Sequence, residues 1–135
     1  MEEDQGYVGE AEPGSELTRW WHINRLWRLA AKMPVELVPV TALEYLLAEE
    51  PWQSSTKKDL ALRARRICNA NLDCPIILAE SGWLMDGSHR LMKAYALEQS
   101  HIKAVRFATN PEPDYRATHE EMTQIMQQQR ANTTA

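Results

Sequence analysis

A chain of 135 residues has room for one modest hydrophobic core. With 44% hydrophobic and 25% charged residues it lies outside the disordered and fibrous compositions, and no apolar run approaches a membrane span. The net charge of -4 is uneven: residues 1–16 carry six acids and no base, so the remainder is close to neutral. That balance argues against a strongly basic nucleic-acid domain and leaves room for a small anion site.

Residues 1–16 read as a flexible acidic leader with no apolar stretch, so no signal peptide is expected and a cytoplasmic location follows. From Leu17 to about Ala31 the spacing of Trp20, Ile23, Trp27 and Ala30 predicts a helix, ended by Pro34. Val35–Val38 is β-branched enough for a short strand, which Pro39 confines to an edge or an end. Thr41 and Glu44 have capping-box spacing and start a helix through Leu47, with Pro51 closing the region. A second helix runs from about Lys57 to Cys68, with Thr56 as cap and Asp59 three residues on.

Pro75–Ala79 reads as a buried strand, Ser81-Gly82 as a tight turn, and Trp83–Met85 as the returning strand. Asp86-Gly87 ends that strand, and Ser88 to about Glu98 is a helix with Leu91, Met92, Tyr95 and Ala96 on or near its apolar face. A last strand covers Ile102–Ala108, and Asn110–Asp114 is a turn. A polar helix follows from about Ala117 to Arg130, and residues 131–135 are expected to fray. One domain over 17–130 results, a small α/β or α+β fold with a mixed sheet flanked by helices. Cys68 and Cys74 are too far apart for a CxxC motif and lack a second pair for zinc, so buried free thiols are expected; spacing alone leaves a disulfide open.

Chemistry concentrates in Leu84-Met85-Asp86-Gly87-Ser88-His89-Arg90-Leu91. A strand enters a helix through glycine, and the first helical turn presents unpaired N–H groups at the positive end of the dipole. Gly87 permits a tight turn and close approach of a phosphate. Ser88 caps or hydrogen-bonds an oxygen, and Arg90 offers a planar charged fork. His89 donates to an anion or exchanges a proton near neutral pH. Asp86 orients His89, holds a divalent ion, or takes a proton from a hydroxyl. Cations at a helix N-terminus are unfavourable without an anion, which points to a phosphate-binding corner. Asp-Gly is equally a common turn pair, and solvated first-turn residues are the bland alternative.

Pro75 to Phe107, PIILAESGWLMDGSHRLMKAYALEQSHIKAVRF, resembles the core of the ParB/sulfiredoxin superfamily, specifically its DGxHR-bearing members. The order strand, turn, strand, DGxHR, helix, strand matches, and Val35–Tyr45 resembles the segment that enters that sheet, so the resemblance spans about residues 33–108. Sulfiredoxins carry a catalytic cysteine where this chain has Ser88, so their repair chemistry is not expected. ParB partition proteins bind CTP and DNA and add a helix-turn-helix domain, for which too little chain follows here. Free-serine kinases of the superfamily carry a DGHHR-type motif. That resemblance implies ATP, or CTP, with Mg2+, phosphates on Gly87, Ser88, His89 and Arg90, and Asp86 beside the transferred group or its magnesium. It also implies a glutamate near the start of the domain, for which Glu36 is nearest in position. His89 and Arg90 would then neutralise developing charge, and Glu36 or Asp86 would take the hydroxyl proton.

Trp83 precedes the motif and can stack on a base, although a core role explains it as well; Arg106 alternates with Val105 and Phe107 and points either into the same cleft or to water. Lys57, Lys58, Arg63, Arg65 and Arg66 read as a solvated helix face, or as a phosphate or nucleic-acid patch; the near-neutral fold argues against nucleic acid. Trp20 and Trp27 read as core. Trp21 is expected to face a partner or ligand, so the alternative function is a non-catalytic interaction module, or a homodimer through the Trp-rich helix.

Overall fold

The computed structural model describes residues 6–49 and 56–134, so Trp52 and the stop at Pro51 lie outside the described residues. Within them the chain is a small mixed α/β structure, with strands β1 (Tyr7–Ala11), β2 (Thr18–His22), β3 (Glu36–Pro39), β4 (Ile76–Leu78), β5 (Leu84–Asp86), β6 (His101–Arg106) and β7 (Tyr115–Ala117). The helices are α1 (Ile23–Ala30), α2 (Glu44–Leu47), α3 (Lys57–Asn69), α4 (Ser88–Ala96) and α5 (His119–Thr134). The expected single domain over 17–130 divides into two compact units. One is Lys32–Asn110; the other joins the chain before Lys32 to the chain after Asn110.

The unit Lys32–Asn110 is built on a four-stranded sheet in the order β3-β6-β4-β5. β4 and β6 are parallel, and α4 lies on the path between them; β3 and β5 are antiparallel edges. Pro39 ends β3, whose outer edge carries no ladder, which is where a strand tolerates proline. β4 and β5 form the expected hairpin, closed by Ala79 N–H donating to the Trp83 carbonyl at 2.7 Å. Their register shifts between Ile77 and Leu78. The core gathers Ile76, Leu78, Ile102 and Ala104 from the sheet, Leu91 and Ala94 from α4, and Val40 and Leu43 from a 3-10 turn before α2. That turn opens at Val40 with no side-chain cap, so the expected capping box of Thr41 and Glu44 is not formed. Instead Val40 N–H donates to the Ser100 carbonyl, tying the turn to the start of β6.

α3 begins as expected. Thr56 Oγ1 accepts from Asp59 N–H at 3.1 Å, and the Asp59 carboxylate accepts from Thr56 N–H at 3.4 Å, a complete capping box. Its far end is held by Lys93 of α4, whose Nζ donates to the carbonyls of Cys68 and Ala70 at 2.8 Å each. No residue of α3 is buried. Both cysteines are free, and Cys68, expected to be buried, is exposed because it rides on this helix.

The second unit holds a three-stranded antiparallel sheet, β1-β2-β7. Two expectations change here. The leader is not uniformly flexible, because Tyr7–Ala11 forms β1 in register with β2, Gly9 opposite Trp20. The helix expected from Leu17 starts only at Ile23, because Thr18–His22 is the central strand. A Cβ at Gly9 would stand 2.6 Å from the Trp20 ring, so the bare glycine lets that ring lie across β1. Consecutive strand residues point to opposite faces. Trp20 donates from Nε1 to the Ala117 carbonyl at 3.0 Å, and Trp21, fully buried, donates to that of Pro111 at 2.8 Å. α5 starts with a Thr118–Glu121 exchange of hydrogen bonds and runs to Thr134, past the point where fraying was expected.

Candidate functional site

The strand-to-helix corner lies in the unit Lys32–Asn110. Asp86 ends β5, Gly87 is the N-cap of α4, and Ser88, His89 and Arg90 form its first turn. Gly87 has φ +112, in the region open chiefly to glycine, and a Cβ there would lie 2.5 Å from Ile76 Cγ2. The glycine thus sets the turn and brings α4 down onto β4. No side chain caps α4, and its first turn contains no acid. Ser88 is exposed, and its hydroxyl lies 3.8 Å from Met92 Sδ. Arg90 Nη2 stands 3.5 Å from Asp86 Oδ2, a long contact that holds the two side chains loosely together.

His89 connects this turn to α3. Partial burial pushes its imidazole below the ordinary value of 6.5; Arg66 and then Arg63 push it further down, Asp86 opposes them, and Arg90 adds to the depression. Two cations of α3 therefore face the cationic first turn of α4. The sequence offered Arg63 and Arg66 as a solvated face or as a phosphate or nucleic-acid patch, with nothing local to show that α3 packs beside α4. The charges of Arg66, Arg63, Arg90 and the opposing Asp86 thus all reach His89, in the first turn of a helix without a side-chain cap, where a helix start ordinarily favours negative charge by about 0.3–1 kcal/mol.

The remaining candidates lie at different distances. Trp83 is half-buried and lines a cavity of about 300 Å3 whose walls are apolar, from Leu46, Leu47, Leu84, Leu91 and Met92, apart from Ser88 and one acid, Glu49. This cavity adjoins the corner directly. Arg106 is exposed, in register with Leu78, which pairs with Leu84 at the far end of β5; two strand spacings put it about 10 Å from β5. Glu36 is in register with Ala104, and Ala104 with Ile76, so it shares the corner's end of the sheet. It lies on the opposite edge strand, however, three spacings or about 14 Å from β5. The geometry brings Asp86, Gly87, Ser88, His89, Arg90 and Trp83 together, adds Arg63 and Arg66, and leaves Glu36 and Arg106 apart. Among the described residues there is no group of three or more His, Cys, Asp or Glu side chains able to hold a metal, so Asp86 would bind magnesium only alongside the oxygens of a ligand.

The expected Trp-rich helical surface is not formed. Trp20 and Trp21 sit on a strand, and none of the described tryptophans is exposed. Trp21, expected to face a partner, is the most deeply buried of them. No helix among the described residues is long and apolar enough to cross a membrane. No family model, no curated protein and no solved structure matches the chain.

Proposed function

We propose that the unit Lys32–Asn110 binds a phosphorylated small ligand, a nucleotide above all, at the corner of β5 and α4. The uncapped start of α4, with Arg90 and His89 in its first turn and the charges of Arg63 and Arg66 felt at His89, carries this reading. A helix start with basic side chains about it favours an anion over a cation. The phosphates would lie on the amides of residues 88–90, with Arg63 and Arg66 closing over them from α3. A base or other flat apolar group would enter the 300 Å3 cavity beside Trp83, a volume at the lower end of small-molecule sites. The DGxHR pattern and its resemblance to ParB/sulfiredoxin-like domains point to the same ligand class.

Phosphoryl transfer to a small hydroxyl substrate is the catalytic form of this proposal. His89 and Arg90 would neutralise charge on the transferred group, and magnesium held by Asp86 and the phosphates would supply further charge neutralisation. Asp86, beside the phosphate corner, is the nearer of the two proton acceptors; Glu36 serves only if the substrate extends across the sheet.

Calorimetric titration with ATP, ADP and CTP in magnesium tests the proposal, using the native chain with Arg90→Ala and Arg66→Ala. A charge-assisted hydrogen bond is worth about 1.5–3 kcal/mol, so each variant is expected to bind roughly ten- to a hundred-fold more weakly. Absence of binding to the folded native chain overturns the nucleotide reading.

A further inference from the structure

In the unit Lys32–Asn110, α4 separates two surfaces of opposite character. On one side stands α3, with cations at Lys57, Lys58, Arg63, Arg65 and Arg66 and a single acid, Asp59, engaged in its own cap. At 100° per residue, Leu60, Ala64, Cys68 and Ala61 fall on one stripe of α3, with Lys57 at its N-terminal end and Arg65 on its border; all six are exposed, Leu60 by 56%. A 13-residue helix with no fully buried residue, only Arg63 and Ile67 half-buried, is unusual, because most helical stability comes from packing an apolar face.

On the other side, between α2 and α4, runs a groove of two adjoining cavities of about 440 and 670 Å3 that share Glu44 and Tyr95. Val40, Leu47 and Met92 give it an apolar floor, Glu44 and Glu98 carry its charge, and among the described residues no lysine or arginine lines it. Tyr95 is 55% exposed. The large apolar side chains exposed among the described residues, from Val35 to Leu97, all belong to this unit.

We infer that this groove receives α3 of a second copy of the chain. The two surfaces complement each other in charge, basic against acidic. They also match in form, a narrow ridge of one leucine and small residues against a groove floored by Leu47 and Met92. Because ridge and groove are different surfaces, the contact is heterologous and propagates head to tail, unless its rotation happens to close a ring. The contact uses the outer face of α3, whereas Arg63 and Arg66 face α4, so association does not depend on the ligand proposal.

Sedimentation velocity of the full chain over a wide concentration range tests this, with two charge-reversed variants at exposed positions. Glu44→Lys/Glu98→Lys spoils only the groove, and Lys58→Glu/Arg65→Glu spoils only the ridge; circular dichroism establishes that each is folded. The native chain is expected to sediment faster as concentration rises, and each variant alone to remain monomeric. Mixed, the two variants are expected to associate again, because the intact ridge of one meets the intact groove of the other and the two reversed surfaces are themselves opposite in charge. A native chain monomeric throughout, association that survives in either variant, or a mixture that stays monomeric overturns the inference.

Discussion

Replacing Gly87 by alanine isolates the element that builds the corner. Two penalties act together. At φ +112 and ψ +21 an L-residue is strained, at a cost of about 1–3 kcal/mol. The added Cβ would also stand 2.5 Å from Cγ2 and 2.9 Å from Cβ of Ile76, whose side chain is fully buried and has no room to retreat. Overpacking of that kind costs about 1–3 kcal/mol. Alanine restricts the unfolded chain more than glycine does, returning about 0.4–1 kcal/mol. The net expectation is a loss of about 2–5 kcal/mol, a large share of the roughly 5–15 kcal/mol that holds a domain folded. Urea unfolding followed by circular dichroism and tryptophan fluorescence measures it. In an Ile76→Ala background the clash with Cγ2 disappears but the 2.9 Å contact with Cβ stays, so the same substitution should cost less than in the native chain while keeping its backbone part. A Gly87→Ala chain within about 0.5 kcal/mol of the native one, the ordinary range for neutral surface changes, would refute this account of how α4 is placed.

Other expectations concern pH, caps and the second sheet. His89 has a folded pKa below its unfolded value, so its contribution to stability is complete above the ordinary 6.5 and is lost as pH falls through that value towards the folded pKa. Unfolding midpoints should therefore fall more steeply on acidification in the native chain than in His89→Gln, and a bound phosphate ligand should move the histidine's NMR titration upward. Thr56→Ala removes the α3 capping box, worth about 0.5–2 kcal/mol, and the loss should appear as faster amide exchange confined to α3, since no residue of that helix is fully buried. Trp21→Phe leaves the Pro111 carbonyl without its indole donor and is expected to cost about 1–3 kcal/mol by urea unfolding. Trp21→Ala should cost more, about 3–5 kcal/mol.

The elements that were legible in the sequence are those whose punctuation is local. Thr56 and Asp59 announce α3 through a cap that needs no other element, and Gly82 and Gly87 bracket the returning strand. Asp86 to Arg90 could be singled out because a cationic first turn is a mismatch within five residues. β2 was not legible: Trp20, Ile23 and Trp27 fit a helical period, but Thr18–His22 gains two ladders by standing between β1 and β7. Those neighbours give weak signals, one an acidic segment containing Gly9, the other three residues after a proline-rich turn. Arg63 and Arg66 became part of the site only through the packing of α3 beside α4.

The sheet β1-β2-β7 has a consequence for the order in which the chain folds. β1 and β2 are joined by a short loop, whereas Thr18 of β2 pairs with Ala117 of β7 across roughly a hundred residues. Closing the longer loop costs about 2.5 kcal/mol more than closing the shorter one, on logarithmic scaling with length. A lone two-stranded hairpin is marginal in water. During synthesis, β1 and β2 therefore emerge first and wait as an unfinished hairpin until Tyr115–Ala117 has been made. Before then Trp21 has no Pro111 carbonyl to engage, and its indole remains exposed to chaperones and to neighbouring chains. The strands between Lys32 and Asn110 have no such delay, because every partner they need lies within that stretch.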